Sequence, residues 1–471
     1  MNNVRRLFLR FLGVIYLVAF LSLWPQVLGL IGSNGMLPAQ HFLEAVRERF
    51  GTAAAFTYPG VFWLGAGDIL LKFWCGAGIF LAALLVIGFA PVPVLALLWA
   101  VYLSFFTVCR DFLSFQWDIL LLEMGFLAIF FAPLGFGRKS WEEERPSEAV
   151  LWLLRWLLFR LMFASGAMKW LSGDATWRSL TALKFYYETQ PLPPWTAWFA
   201  HHLPEGFQKA SVAGMFFIEL AVPFCIFAPR KIRFFACGAF VFLQLFIMAT
   251  GNYCFFNWLT LALCLLLLDD RVLPLRSKES LKPSWPRWII GPVAGFIIFL
   301  STFQFLYGLR LPVPWPKAIV RAAREVSPWC FANHYGLFAV MTTQRPEIRV
   351  EGSDDGIHWQ AYEFKYKPGD LDRVPRFVAP HQPRLDWQMW FAALGHFRQN
   401  PWFVSFCKRL LQGSPDVLSL LAKNPFPDKP PRYLRAMITR YHFTTPEERR
   451  RSGRFWRRDD ESELYLPPVS L

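Results

Sequence analysis

Charged residues are scarce in this sequence: Asp, Glu, Lys and Arg together make up 18% of its 471 residues. Hydrophobic residues make up 55%, and the mean hydropathy of +0.30 is too high for a soluble enzyme of this length. The net charge of +15 comes from basic residues at the ends of apolar runs and in the C-terminal part, which does not favour nucleic acid as a partner. With 22 Trp and 49 Phe, the composition predicts a lipid-facing membrane protein with interfacial aromatic residues.

Close cysteine pairs are also absent. None of the eight cysteines belongs to a Cys-x-x-Cys motif, so the sequence supports neither a zinc site nor a disulfide framework. Six of them lie in or beside apolar runs, and only Cys330 and Cys407 lie in the C-terminal part. A bridge between these two stays open beside the alternative of two free, buried thiols.

Motifs of known chemistry are missing as well. There is no Gly-x-Ser-x-Gly elbow, no Walker motif and no dinucleotide fingerprint. We therefore predict no catalytic residue, no metal and no cofactor. No Asn-x-Ser/Thr acceptor occurs either, which favours a bacterial source, because a large lumenal region of a eukaryotic protein often carries one.

Apolar runs dominate the first 310 residues. A membrane-spanning helix needs about 20 apolar residues, and by this criterion about nine spans are predicted. They cover residues 7–23, 70–90, 92–109, 116–134, 150–170, 211–228, 233–250, 253–268 and 287–309. The first run is predicted to be a retained helix, because Trp24-Pro25 follows it instead of a small-residue cleavage site. Very short turns separate the second from the third run and the seventh from the eighth, so some of these helices are expected to be broken or re-entrant.

Lys and Arg concentrate in alternate connections. Basic clusters lie within residues 5–10, 138–145, 230–233 and 271–287. Because cytoplasmic loops carry an excess of Lys and Arg, all four are predicted to be cytoplasmic, and so is the N-terminus. The loop 171–209 then faces outward, and an odd number of spans places residues 311–471 on the same outward side.

The C-terminal part has the composition of a soluble α+β domain. Ile348 and Val350 alternate with polar residues, 353–356 has turn chemistry, and aromatic residues alternate with charged ones over 362–367, a pattern that predicts a β-hairpin. Residues 386–422 are predicted to be helical, and the Arg-rich run from Glu447 to Arg458 a solvated terminus. The predicted fold is thus a multi-pass α-helical membrane domain, 1–310, followed by an α+β domain, 311–471, with a small antiparallel sheet.

Four ionisable residues within the apolar runs are the best candidates for a functional site: Glu123, Arg160, Lys169 and Glu219. Charge inside a membrane is costly, so such side chains face the bundle interior and often mark a function. The alternatives are a proton-handling or substrate-binding pocket and buried ion pairs that fix helix packing, and the second is favoured because pairing alone makes the charges tolerable. Arg160 and Lys169 are nine positions apart, on opposite helix faces, and are not expected to share one site.

Long strings of the sequence resemble the lipase maturation factor family. They include FRLMFASGAMKW and LTALKFYYETQPLPPW, and in the C-terminal part YGLFAVMTTQRPEIRVEGSDDGIHW and PHQPRLDWQMWFAAL. The resemblance covers nearly the whole chain. It implies a multi-pass membrane protein, resident in the endoplasmic reticulum of animals, that assists folding and assembly of dimeric lipases such as lipoprotein lipase. A bacterial member would lie in the cytoplasmic membrane, with a client other than lipoprotein lipase.

Two hypotheses about function follow from this resemblance. In the leading one the protein is a non-enzymatic maturation factor, whose partners are membrane lipid and client proteins. The clients would contact the loop 171–209 through Trp177, Tyr187, Trp195 and Trp198. In the other the protein is a membrane enzyme of the carboxylase-like type that uses Lys169 or the Glu123/Arg160/Glu219 group on a lipid-soluble cofactor or substrate, because buried charge lies beside a polar loop. The string SGAMKWLSGDATW is distantly similar to a helix of the vitamin K-dependent γ-carboxylase group.

Overall fold

A computed structural model describes residues 1–136, 138–272 and 282–471. Helices account for most of its first 310 residues. The helices of seven or more residues in this part are α1 Asn2–Leu23, α2 Ala39–Phe50, α3 Asp68–Ile87, α4 Pro91–Cys109, α5 Gln116–Phe131, α6 Glu148–Leu171, α7 Leu183–Thr189, α8 Trp195–His201, α9 Glu205–Phe216, α10 Arg230–Thr250, α11 Phe256–Leu265 and α12 Arg287–Gly308. Helix α9 continues through the π-helical turn Phe217–Ala221 and the 3-10 turn Val222–Phe227.

Seven helical segments of the described chain are long and apolar enough to cross a membrane, where the sequence predicted about nine spans. The seven are α1, α3, the segment Pro91–Leu113, α6, the segment Glu205–Phe227, α10 and α12, and their ends lie within about six residues of the predicted ones. The other two predicted spans, 116–134 and 253–268, form the shorter helices α5 and α11, of 16 and 10 residues. At 1.5 Å per residue, neither reaches across a hydrocarbon layer of about 30 Å.

The predicted tight turn between the second and third runs is present. Gly88 ends α3 in the left-handed region, with a φ of +85°, and Pro91 occupies the first position of α4. Glycine carries no steric penalty in that conformation, and the fixed φ of proline suits a first helical position. The chain therefore reverses direction within three residues.

Residues from all four basic clusters meet at one end of the helical bundle. The amino group of Met1 lies 2.7 Å from Asp270, and the Arg5 guanidinium donates to Ser284 over 2.9 Å. Arg230 pairs with Asp269 at 2.5 Å, and the backbone N–H of Ser284 donates to the carbonyl of Arg145. The four clusters, which were predicted to lie on the same side of the membrane, thus lie at the same end of the bundle. Two basic residues of the fourth cluster, Arg276 and Lys278, lie outside the described residues. Which side of a membrane this end faces stays a prediction.

The C-terminal part contains the predicted mixture of helices and strands. The helices are α13 Lys317–Val326, α14 Arg384–Ala393, α15 Pro401–Leu411 and α16 Pro446–Ser452. The strands of this part are β3 Pro346–Ser353, β4 Gln360–Ala361, β5 Glu363–Phe364, β6 Leu421–Lys423, β7 Tyr433–Phe443, β8 Trp456–Arg458 and β9 Glu463–Val469, and a two-residue pair, β1 Glu144–Arg145 with β2 Lys282–Pro283, precedes them in the chain.

The predicted hairpin forms only in part. Strands β3 and β4 pair over two residues, and β5 then turns away to pair with β6. The main partner of β3 is β7, antiparallel over eight residues from Pro346↔Arg440 to Ser353↔Tyr433. The sequence prediction missed β7, because a pair some 80 residues apart leaves no local turn signal. It also missed β8 within the Arg-rich run, which is not simply solvated: the Arg449 guanidinium lies 4.5 Å from the Trp198 ring centre.

The C-terminal part shares one continuous hydrophobic core with the helical bundle. Leu12, Leu154, Val350, Phe403 and Leu434 all belong to it, although they come from both predicted domains. Cys330 and Cys407 are buried free thiols, so the structure has two separate cysteines where a bridge was the open alternative. The amino-acid composition changes near residue 311, but side chains from both sides of this position pack into the same core.

Candidate functional site

The four predicted intramembrane residues form two separate ion pairs. Arg160 on α6 pairs with Glu123 on α5, and Lys169 on α6 pairs with Glu219 in the π-helical turn after α9. Arg160 and Lys169 do not share a site, as their nine-residue spacing predicted. The grouping of Glu219 with Glu123 and Arg160 in one pocket does not occur, because Glu219 meets the end of α6 rather than its middle.

The Glu123–Arg160 pair is enclosed and almost saturated with hydrogen bonds. One carboxylate oxygen of Glu123 accepts from Arg160, and the other accepts from the Tyr335 hydroxyl and the Asn333 N–H, each over 2.8 Å. Arg160 also donates to the carbonyl of Asn333 over 2.9 Å. Neither oxygen is left for a substrate. This arrangement favours a structural role, in which the pair fastens residues 333–335 to the bundle.

The Lys169–Glu219 pair has a different environment. The Lys169 ammonium donates to both carboxylate oxygens, over 2.7 and 2.9 Å, and lies 5.5 Å from the Trp177 ring centre. Gly166 allows α6 to approach this closely, since a Cβ there would lie 2.8 Å from the Glu219 Cβ. Glu219 belongs to a π-helical turn, and such single turns are frequent at functional sites.

A cavity of about 130 Å³ lies beside this second pair. Its walls come from α6, α9, α10 and α11, and it is closed at one end by α7 and residues 337–338. Most of the lining side chains are apolar, and the polar ones include Lys169, Glu219, Gln244 and Asn257. A concave, mostly apolar space with a few convergent polar groups is the usual form of a small-molecule site.

A third buried ion pair, between Asp118 and Arg384, was not predicted from the sequence. Asp118 accepts from the backbone N–H of Phe115 at the start of α5. It also forms a two-pronged pair with Arg384 of α14, at 2.9 and 3.0 Å, and accepts from the Tyr102 hydroxyl over 2.6 Å. Arg384 was not predicted as a partner of Asp118, because it lies in the part that was expected to form a separate domain.

A second missed residue, Arg345, connects the C-terminal sheet to the loop 171–209. Its guanidinium donates to the carbonyls of Glu188, Gln190 and Pro191 and to the carboxylate of Glu347. It is fully buried, and burial lowers its pKa below the ordinary value in spite of Glu347. No pattern in the sequence marks it, because its partners are backbone carbonyls about 155 residues away.

The predicted client-contact residues are mostly buried, which corrects the expectation for three of them. Trp177 and Tyr187 are 2% and 1% exposed, and Trp198 is 5% exposed, with its indole N–H donating to the carbonyl of Thr444. Burial against the C-terminal part removes these rings from any partner. Trp195 is exposed, at 42%.

Trp195 belongs to an exposed group of aromatic residues. Its ring centre lies 5.8 Å from that of Phe199 and 6.1 Å from that of Phe377. These three residues, here called the aromatic patch, join α8 to the C-terminal part. The Thr196 hydroxyl donates to the carbonyl of Ala249, so the patch lies at the end of α10 opposite to Arg230 and the basic clusters.

The described residues contain no group of three His, Cys, Asp or Glu side chains that could hold a metal ion. The adjacent histidines of the loop 171–209 differ in their contacts, since the buried Nδ1 of His201 has no hydrogen-bond partner among the described residues. His202 Nδ1 lies 2.7 Å from the carbonyl oxygen of Trp198. Burial, with a smaller effect of His202 and Lys184, lowers the pKa of His201 to about 4.

Two family models match the chain. The model described as Lipase maturation factor transmembrane domain matches residues 3–275, and the one described as Lipase maturation factor C-terminal domain matches residues 331–467. Lipase maturation factor 2 of Homo sapiens is 37% identical over 588 aligned residues, which cover 99% of this chain and 82% of the human protein. Lipase maturation factor 2 of Mus musculus is 38% identical over 587 residues, covering 99% and 83%. Lipase maturation factor 1 of Homo sapiens is 34% identical over 505 residues, covering 99% and 88%. No solved structure gives a significant match.

Proposed function

The chain belongs to the lipase maturation factor family, and from this premise we propose that it is a non-catalytic membrane protein that assists the folding or assembly of exported lipases. The observation that carries the proposal is the match to relatives named lipase maturation factors over 99% of the chain, which includes both the helical and the C-terminal parts. In a eukaryote the expected location is the endoplasmic reticulum membrane, and in a bacterium the cytoplasmic membrane.

The buried charges support a role without catalysis. Glu123 and Asp118 are both fully buried and hydrogen-bonded to arginine and to tyrosine hydroxyls, so neither is placed to exchange a proton with a substrate. The alternative of a carboxylase-like membrane enzyme gains no support from the matched family models or relatives. The Lys169–Glu219 pair lines the cavity of about 130 Å³, and a binding role suffices for it.

The aromatic patch is the surface that we propose for client contact. Trp195, Phe199 and Phe377 are 42%, 45% and 48% exposed, although they belong to well-packed segments. Aromatic residues dominate the energetic centres of protein interfaces. The patch lies at the end opposite to the basic clusters, so the positive-inside rule places it where exported proteins fold.

The orientation can be tested by cysteine labelling in bacterial cells that express the chain. Ile357→Cys introduces a thiol at a position that is 75% exposed in the C-terminal part. We expect a membrane-impermeant maleimide to label it in intact cells. The matched variant Val272→Cys, 45% exposed at the basic end, should be labelled only after lysis. Of the native cysteines, seven are buried and Cys225 is half-buried, so the background is low. The reverse pattern would invert the topology.

The client role can be tested by complementation. The chain is expressed with a secreted dimeric lipase in cells that lack their own maturation factors, and lipase activity in the medium is measured. We expect activity only with the chain present, and a loss on the order of tenfold in the double variant Trp195→Ala/Phe377→Ala, because contact aromatics contribute most of an interface's energy. The control is Trp288→Ala, an equally aromatic position that is 77% exposed at the basic end.

Two results would count against the proposal. Lipase secretion that does not depend on the chain at all would refute the client role. Full activity of the double variant, at unchanged abundance in the membrane, would refute the aromatic patch as the contact surface.

A further inference from the structure

The cavity beside Lys169 has room for a short segment of a single aliphatic chain or for a small head group. Its volume of about 130 Å³ is close to that of an engineered apolar cavity of about 150 Å³ that binds benzene. Leu161, Met162, Leu243, Ile247 and Phe256 supply its apolar walls. Two acyl chains side by side would not fit, so the space suits a single-chain molecule and not a whole phospholipid.

One part of the cavity wall is polar but carries no net charge. Lys169 and Glu219 neutralise each other through two hydrogen bonds. Gln244 and Asn257 also line the cavity, 4% and 2% exposed, and a single 2.8 Å hydrogen bond joins their amide groups. Each amide keeps one polar atom that makes no hydrogen bond to the described residues. Buried amide atoms are normally satisfied, so these point to a ligand or water with hydroxyl or carbonyl groups.

The cavity opens between two membrane-spanning segments. Ser211 and Met215 on α9 and Ile247 on α10 line it and are half-buried. On the outer faces of the same segments, Phe217 and Leu245 are 56% and 53% exposed, as expected for side chains in contact with lipid. The part Glu205–Phe216 of α9 contacts α10 little, whereas the turn Val222–Phe227 that continues α9 packs against α10. We therefore assign the exit of the cavity to the Glu205–Phe216 part, beside Ser211, Met215 and Ile247.

We propose that this cavity binds the head and upper chain of an uncharged single-chain amphiphile, such as a monoacylglycerol, taken from the membrane. The head lies against the Lys169–Glu219 pair and the free amide atoms, and the rest of the chain leaves between α9 and α10. An anionic head would face the Glu219 carboxylate and a cationic head the Lys169 ammonium. A hydroxyl can donate to Glu219 and accept from Lys169, and an ester carbonyl can accept from Lys169. Client handling is not required for this site, so the two proposals can fail independently.

Photolabelling of the full chain in phosphatidylcholine nanodiscs tests the proposal. The probe is a monoacylglycerol with a diazirine in its acyl chain, and adducts are mapped by mass spectrometry. We expect adducts within 205–216 and 243–260, and competition by monoolein but not by oleate. Ile247→Trp fills the cavity and should lower labelling on the order of tenfold, because overpacking displaces a fitted ligand. Leu245→Trp places the same ring on the lipid-facing side of the same helix and should leave labelling unchanged.

A second pair of variants fills the same cavity from another helix, so the test does not depend on whether Ile247→Trp folds. Met215→Trp fills the cavity from α9, and Phe217→Trp is its lipid-facing control. Thermal unfolding midpoints identify any variant that does not fold. Glu219→Gln leaves Lys169 with an uncompensated positive charge, so it should make oleate the better competitor, with a reversal on the order of tenfold.

Equal labelling in the cavity-filling variants and their controls would overturn the proposal, since it would identify the probe as lipid on the outer surface. Competition by oleate as strong as by monoolein in the unsubstituted chain would overturn the assignment of an uncharged head.

Discussion

Arg384→Ala is expected to lower the free energy of unfolding by about 3–5 kcal/mol, the range measured when one partner of a buried ion pair is removed. Both side chains of the Asp118–Arg384 pair are almost completely buried, at 0% and 1% exposed. Without Arg384, the Asp118 carboxylate keeps only the Tyr102 hydroxyl and the Phe115 N–H as donors. The carbonyl of Phe112, which accepts from Arg384 over 2.6 Å, also loses its partner.

The substitution Arg384→Ala should destabilise the structure beyond α14. Arg384 follows a segment that is inserted into the end of the bundle: Gln382 accepts from the Trp117 indole, and the carbonyl of Gln382 accepts from Gln26. Loss of the ion pair should release this segment, and with it the connection between the C-terminal part and α5. We expect a lower thermal midpoint in detergent and faster protease cleavage near 376–384.

A double variant distinguishes the loss of the ion pair itself from the cost of leaving one buried charge without its partner. Asp118→Leu/Arg384→Met replaces both partners by apolar side chains and should recover most of the stability, because such replacements are often neutral or stabilising. Arg398→Ala, which removes an exposed arginine beyond the same helix, should change the midpoint little. If Arg384→Ala is as stable as Arg398→Ala, the pair does not hold the two parts together.

Arg345→Met is the second substitution with a large expected effect. It leaves the carbonyls of Glu188, Gln190 and Pro191 without their guanidinium donor and removes one of the two cations at Glu347, the other being Lys367 at 2.9 Å. Each buried polar group that loses its partner costs about 1–3 kcal/mol. We expect a loss of about 3–5 kcal/mol in the free energy of unfolding, as for other broken buried pairs.

The effect of Arg345→Met should appear first in the loop 171–209, because Arg345 links β3 to residues 188–191. Limited proteolysis should cut within 171–209 before the rest of the chain unfolds. Arg349→Met is a matched control on β3: its guanidinium lies 2.6 Å from Glu351 but is 29% exposed, and ion pairs open to water contribute about 1 kcal/mol or less. Equal shifts of the thermal midpoint in both variants would show that the carbonyl contacts of Arg345 contribute nothing measurable.

Local patterns predicted those features that depend on neighbours in sequence. The long helices lie where apolar runs of about 20 residues occur, and the opposite faces of Arg160 and Lys169 follow from helical periodicity. The shortening of α5 was not predicted, whereas the eighth run, which forms α11, was among those expected to contain broken or re-entrant helices. The run 116–134 extends three residues beyond the C-terminal end of α5, and the run 253–268 extends three residues beyond each end of α11, where Tyr253 packs against Trp387 of the C-terminal part.

Pairings between distant residues could not be predicted from the same patterns. The apolar runs contain several acidic and basic residues, but no local pattern indicates that Glu219 pairs with Lys169 or that Asp118 pairs with Arg384. Trp177, Tyr187 and Trp198 have the composition of an exposed interfacial loop, and they are buried only because strands β7 and β8 and residues 337–338 cover them. A side chain's exposure depends on what packs against it, which is a non-local property.

The amino-acid sequence by itself determined that this is a helical membrane protein of the lipase maturation factor family, with its basic residues in alternate connections, because hydropathy, periodicity and long family-specific strings are properties of contiguous residues. Only the tertiary structure decided that the C-terminal part is joined to the bundle by Asp118–Arg384 and Arg345. It alone also decided that Trp195 is the exposed one of the four predicted contact residues and that Lys169 and Glu219 line a cavity. The physical reason is that burial, ion pairs and cavities form where segments far apart in the chain pack together, and the residues of one segment do not indicate which other segment will pack against it.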